Sequence, residues 1–299
     1  MKRRTLLQLL AASPLAFPQD AKLPPEAISP LPDGPLDYIC PMDPDIRSNK
    51  PGVCSRCGMK LVLGIPDGTE YLLDLTTRPR VIRPGEKVEL AFRVIDPRSA
   101  KPVSKFEIVH EKLFHLFIVS QDLQYFVHDH PRFEPDGVFR FDAVLPKAGM
   151  YRILGDMYPA GGTPQLIAKT IFAVGASGDL SLPPSELRPQ LEASHCSNMD
   201  VELVMEPAQP ISGMKTLLFF KLKPGNGLEK YLGAWGHMLA ASDDLIDMIH
   251  SHPFLADGGP QVQFNMIFPR VRTYRIWVQF RREGVVNTAA FNVPVSELK

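Results

Sequence analysis

Four things are scarce or missing in this chain, and each closes off a class of function. Net charge is absent, with 33 Lys and Arg against 33 Asp and Glu, so no broad field marks nucleic acid or an anionic membrane as the partner. Beyond the first 17 residues no stretch stays apolar for the ~18 positions a membrane helix requires. No strand-to-helix nucleophile elbow, phosphate loop, dinucleotide fingerprint or HExxH helix occurs, which removes the commonest enzyme classes. Cysteine is sparse and uneven: of four, three crowd the segment from Cys40 to Cys57 and the fourth, Cys196, stands far away. That distribution argues against disulfides spread through the folded domains and for a metal site.

Long helical stripes are also missing. From Tyr71 onward the chain runs in alternating or β-branched stretches such as KVELAFRV (Lys87 to Val94) and YRIWVQF (Tyr274 to Phe280), broken by Pro and Gly turns. This spacing predicts an all-β protein. At the start, MKRR precedes the apolar TLLQLLAASPLAF, a charged beginning with a core too short to span a bilayer. Residues 1–17 therefore read as an export signal, and Arg3 and Arg4 followed by Leu6 and Leu7 resemble the twin-arginine type. A periplasmic or secreted location is the expectation. Residues 18–36 are a Pro-rich tether, 37–66 a cysteine module, 70–178 a first β domain, 179–194 a second Pro-rich linker (LPPSELRPQ, Leu182 to Gln190) and 195–299 a second β domain.

The two β domains repeat one another. HLFIVSQDLQYFVHDHP (His115 to Pro131) aligns with HMLAASDDLIDMIHSHP (His237 to Pro253) at a constant offset of 122 residues, with three histidines in register. FRFDAVLPKAGMYRI (Phe139 to Ile153) aligns with VQFNMIFPRVRTYRI (Val262 to Ile276), and GEKVELAFRV (Gly85 to Val94) with GMKTLLFFKL (Gly213 to Leu222). Duplication therefore spans whole domains, each suited to an immunoglobulin-like or cupredoxin-like β-sandwich. If Ser120 to Leu123 forms a four-residue hairpin turn, His115 faces His128 with His130 on the same side; a turn at Ser242 to Leu245 likewise sets His237 opposite His250, beside His252. Three converging imidazoles with an open position suit Zn²⁺ or Cu²⁺. Ordinary packing of histidines across a hairpin is the competing reading. The triplets hold six of the eight histidines, which packing does not require. His110 has no counterpart, Leu232 taking its place, and is either an added ligand or a surface residue.

The segment YICPMDPDIRSNKPGVCSRCGMKLV (Tyr38 to Val62) closely resembles the short heavy-metal-binding domain found on copper-transporting P-type ATPases and on adaptor subunits of metal efflux pumps. That family reads Tyr-x-Cys-Pro-Met-His-Pro, then Cys-Pro-x-Cys-Gly-Met-x-Leu; here Asp43 replaces the histidine and Ser55 a common proline. Independently of the resemblance, about 25 residues cannot bury a core that folds alone, whereas a metal held by Cys40, Cys54 and Cys57 would supply the missing free energy. Asp43 as fourth ligand suits Zn²⁺, while Met42 or Met59 thioethers suit Cu⁺. A Cys54 to Cys57 disulfide is the alternative. The β domains loosely resemble exported bacterial β-sandwich proteins that follow the same module, which implies an association with metal handling.

One further cluster, HCSNM (His195 to Met199), offers imidazole, thiol and thioether but lacks the spacing of a copper electron-transfer centre; it reads as a metal-binding or incidental polar segment. The expected function is sequestration, buffering or delivery of a copper or zinc ion, with a metal transporter or efflux component as partner and no catalytic activity. A metal-dependent oxidase or hydrolase at a three-histidine site, and a structural β-sandwich interaction protein with packed histidines, are the alternatives.

Overall fold

The alternation in Lys87 to Val94 becomes a strand with Val88, Leu90, Phe92 and Val94 turned inward, none more than 1% exposed. The computed structural model describes residues 37–40, 46–56, 58–64, 69–175, 187–254 and 256–298. The expected signal, the first tether, half of the second linker and three proposed ligands, Met42, Asp43 and Cys57, lie outside the described residues.

The cysteine module is a small antiparallel sheet of β1 (Asp37–Ile39), β2 (Arg47–Ser48) and β3 (Val62–Gly64) in the order β2-β1-β3. The first β domain contains β4 (Leu72–Arg78), β5 (Lys87–Asp96), β6 (Lys101–Pro102), β7 (Phe114–Ser120), β8 (Phe126–Asp129), β9 (Arg132–Phe133), β10 (Phe139–Val144), β11 (Gly149–Met157) and β12 (Gln165–Ala173). The second contains β13 (Ser194–His195), β14 (Asp200–Glu206), β15 (Lys215–Lys223), β16 (Leu228–Glu229), β17 (His237–Ser242), β18 (Met248–Ser251), β19 (Gln261–Ile267), β20 (Thr273–Arg282) and β21 (Val285–Pro294).

The first domain stacks sheet β4-β5-β10-β9 on sheet β12-β11-β7-β8; the second stacks β14-β15-β19 on β21-β20-β17-β18. In chain order these are the A-B-E and G-F-C-C′ sheets of an immunoglobulin-like sandwich. The corner tyrosine of that fold is present in both. Tyr151 donates to the Lys147 carbonyl at 2.8 Å, and Tyr274 accepts from the Arg270 amide at 3.2 Å while donating to the Asp247 carboxylate at 2.7 Å, each reaching from the F strand back to its own corner. Topology and corner together select the immunoglobulin-like member of the two expected folds.

Most strands bury one face, but β7 and β17 are buried at every position. Alternation explains this. Leu116 and Ile118 enter the first domain's core and Met238 and Ala240 the second's. Phe117, Val119, Leu239 and Ala241 point the other way, into a third core shared by both domains with Leu123, Leu154, Leu245, Met248 and Trp277. The two C-strand sheets therefore face each other across the duplication. Phe126 of one domain and Trp277 of the other stack at 4.8 Å and 9°. His115 and His237 share the parity of Phe117 and Leu239, so the fold aims both imidazoles into this interdomain layer.

The hairpin register differs from the expected one by two residues. Phe117 pairs with His128, and Leu239 with His250. The turn begins one residue later because Ser120 closes it, its amide donating to the Tyr125 carbonyl and its hydroxyl to the Asp122 carboxylate, which also accepts from the Gln124 amide. This is the carboxylate-capped turn that Asp favours. Ser242, Asp244, Ile246 and Asp247 repeat it. A slip of two preserves the side-chain faces but brings His115 level with His130, and His237 with His252.

Candidate metal centre

Seven of the eight histidines meet in the interdomain layer. Ring centroids of His110, His115, His128, His130, His237, His250 and His252 form a connected set of neighbours 3.7 to 6.3 Å apart. His115 and His237 come from the starts of β7 and β17, His128 and His250 from β8 and β18, and His130 and His252 from the residues just after. His110 comes from a tight turn in which Val109 and Lys112 exchange backbone bonds while His110 and Glu111 have φ of 46° and 66°. Two consecutive non-glycine residues in the left-handed region are uncommon and cost about 1–3 kcal/mol each. The second domain has the same turn, Tyr231 to Ala234, with Leu232 and Gly233 at its tip.

Outer contacts fix which nitrogen of each ring faces inward. Carbonyl oxygens only accept, so His115 Nε2 donates to Val109 O at 3.0 Å, His237 Nε2 to Tyr231 O at 2.8 Å and His110 Nδ1 to Leu232 O at 3.2 Å. His250 Nδ1 donates to Asp156 Oδ2 at 2.7 Å. His128 Nδ1 donates to Gln279 Oε1 at 2.7 Å, an orientation set by the Gln279 amide nitrogen donating to Thr288. Asp156 and Gln279 hold equivalent places: each pairs across its sheet with its own domain's C-strand histidine, His115 or His237, while gripping a C′ histidine of the other domain. In a neutral imidazole the second nitrogen then carries a lone pair, and five such lone pairs are directed away from these oxygens. Ligating histidines show this arrangement, the remote N–H anchored on an oxygen.

Two groups of nitrogens are close enough to share an ion. In the first, His115 Nδ1 lies 3.3 Å from His128 Nε2 and 3.2 Å from His130 Nε2. Nitrogens on one tetrahedral Zn²⁺, at ~2.0–2.1 Å from it, stand about 3.3 Å apart. Since His115 Nδ1 and His128 Nε2 both carry lone pairs, they cannot bond to each other as neutral rings. The second group joins His237 and His252, whose Nδ1 and Nε2 are 2.8 Å apart, with His110 in place of the expected His250; each group's ligand atoms lie within 4.8 Å of one another. His110 belongs to the buried cluster, not the surface. The nitrogens His110 Nε2, His250 Nε2 and His252 Nδ1 are buried without a partner, each at a cost of about 1–3 kcal/mol in a dry interior. Packing alone would be better served by leucine.

Burial, reinforced by neighbouring imidazoles, holds the rings neutral. His110 falls to about 3 and His115 to about 4, chiefly by desolvation; His128, His237 and His252 are pushed well below the ordinary value, and His130 is lowered, for the same first reason. Burial raises the Asp156 carboxyl, but the hydrogen bond it accepts from His250 more than offsets this, so Asp156 lies below its usual range. Neutral rings beside one carboxylate are the ligand form.

In the module, Cys40 and Cys54 are 0% and 2% exposed and share a small core with Leu61, Tyr38 and Ile46. Arg56 donates its amide to Cys54 Sγ at 3.4 Å, and Gly58, at φ 75°, returns its amide to the Cys54 carbonyl at 2.9 Å. Buried sulfurs in so small a core, one of them receiving an N–H, fit a soft cation. Met59 is half-buried beside them. The HCSNM segment assembles no site: His195 is exposed and bonded to Asp200 at 2.8 Å, the Cys196 thiol bonds to the Thr288 carbonyl, and Met199 is in the core.

A family model described as a domain of unknown function (DUF8832) matches twice, at residues 67–174 and 194–297. The chain belongs to this family. A second model, described as a heavy metal binding domain, matches residues 38–62. Among curated proteins none matches this chain in sequence. Similar solved structures include the Escherichia coli adhesin FdeC (12% identity, 79% of this chain and 67% of that one, TM-score 0.26), the Yersinia pseudotuberculosis adhesin InvE (10%, 75% and 60%, 0.24) and a two-domain fibronectin type III segment of chicken tenascin (12%, 76% and 99%, 0.20). Likeness at that level carries no argument about function. Among the described residues no helix is long and apolar enough to cross a membrane.

Proposed function

We propose that this is an exported protein that binds copper or zinc for sequestration, buffering or delivery, and that it acts by holding ions and not by turnover. The Cys40, Cys54 and Cys57 module takes one soft or borderline cation, and His115, His128 and His130 take another. The observation that carries the second assignment is the inward lone pairs of His115 and His128, fixed by Val109 and Gln279, at a spacing suited to a tetrahedral ion. The heavy metal binding domain match supports the first. A metal transporter or efflux component in the same compartment would be the client.

Metal analysis of the full chain tests both. Loading with Zn²⁺ should give at least two bound equivalents. Double replacement His128→Ala and His130→Ala should remove one, and triple replacement of Cys40, Cys54 and Cys57 by Ser should remove another. Unchanged stoichiometry in either variant would sink the corresponding site.

A further inference from the structure

The second nitrogen group differs from the first in two ways. It is built from both domains, His110 from the first and His237 and His252 from the second. It also faces the module across a cleft. His110 and His252 line a cleft of about 480 Å³ whose opposite wall is the module, through Met59, Lys60 and Val62, whereas His115, His128 and His130 do not line it. Contact with the first domain helps hold the module there, Tyr158 donating its hydroxyl to the Leu63 carbonyl at 3.2 Å. Glu111, beside His110 at the turn tip, adds a carboxylate to the same cleft.

We propose that His110, His237 and His252 form an interdomain site for a borderline d-block cation, and that this site is the port through which an ion passes between the cysteine module and the first histidine centre. The inference rests on the reading above, that module and first triplet each hold metal. Passage is ligand exchange: sulfur ligands are replaced by imidazole nitrogens, with no change in the ion's oxidation state. His110 Nε2 and His252 Nδ1 are buried and without partners, and both residues line the cleft. The turn supports the same conclusion. The second domain fills the equivalent left-handed position with Leu232, so the strained backbone tolerates leucine, and a histidine there serves the cleft and not the turn.

That equivalence supplies a variant that keeps the fold, His110→Leu, with His252→Gln as a second. Full-length chain is charged with Co²⁺ as the probe, limiting first and then in excess. Limiting Co²⁺ should first show the thiolate-to-cobalt absorption of the module, then lose it in a unimolecular phase as nitrogen-only cobalt appears. Excess Co²⁺ should fill one more site in the parent than in either variant, and both variants should slow the transfer phase at least tenfold. Equal stoichiometry and equal rate in parent and variants, with the module and first triplet filling normally, would overturn this proposal alone. A transfer rate proportional to protein concentration would also overturn it, since the ion would then pass between molecules. A parent chain that binds no Co²⁺ would overturn it together with the reading above.

Discussion

The two β domains share strand order, corner tyrosine, capped turn and three histidines, and differ where it matters chemically at two positions. Leu232 stands where the first domain has His110, and Gln279 where it has Asp156. Had the copies remained identical, their face-to-face packing would have made two equivalent triplets. Instead His110 reaches across to His237 and His252, and Asp156 grips His250. One substitution moves a ligand between domains; the other places the cluster's buried carboxylate against only one of the two C′ histidines. Divergence of two side chains on a symmetric frame is enough to make one site within a domain and one shared between the domains beside a cleft.

Acid should break the comparison most forcefully, because the cluster belongs to both domains at once. Six of its imidazoles have lowered proton affinity when folded. The unfolded or separated state therefore binds more protons below about pH 6.5, and stability falls as pH falls. Their contribution is fully present above about pH 6.5 and is lost toward the folded values, about 4 for His115 and about 3 for His110. Each steepens the loss by about 1.4 kcal/mol per pH unit. Lys112 opposes protonation and Asp156 favours it, but the carboxylate is already bonded to His250. In metal-free protein the domains should part between about pH 6.5 and 4, seen as loss of the near-ultraviolet signal of Trp277 while the far-ultraviolet β signal persists. A near-ultraviolet spectrum unchanged down to pH 4 would contradict the buried cluster.

A smaller effect should distinguish what each domain gives to the shared apolar layer. Trp277 and Leu154 occupy corresponding places on the two F strands, 4% and 2% exposed. Trp277→Ala should cost about 3–5 kcal/mol and Leu154→Ala about 2–5 kcal/mol, with the tryptophan at or above the leucine because it alone stacks on a ring of the other domain. Denaturant unfolding measures both. A loss under about 1 kcal/mol at Trp277 would mean that the two sheets do not face each other in solution.

Much of this was legible in the sequence. Alternation gave the strands, the offset of 122 residues gave the duplication, and the cysteine spacing gave the module. Register is not legible there, because the turn is set by where Asp122 and Asp244 fold back, a choice that strand periodicity does not record. The role of His110 is not legible either, because it depends on the partner domain and no local pattern reveals which faces will meet. One signal did exist. HLFIV and HMLAA are continuous apolar runs without polar alternates, as expected of strands buried on both faces. Such runs call for a second cover over β7 and β17, which each domain supplies to the other.

The eighth histidine sharpens the comparison from its quiet end. His195 lies at the edge of the second domain, its side chain 80% exposed, with Asp200 at 2.8 Å. It opens a short stretch rich in ligand-type residues, so composition alone does not separate it from the other seven. Environment does. Its ring stands largely in water with Nδ1 on Asp200, and a contact this exposed contributes little. His195→Ala should therefore shift stability by no more than about 0.5 kcal/mol and leave Zn²⁺ stoichiometry, Co²⁺ transfer rate and the acid transition at their parent values. Loss of a bound equivalent in this variant would show that metal is gathered by histidine content at the surface and not by the buried interdomain geometry, which would undo the distinction between the seven and the one.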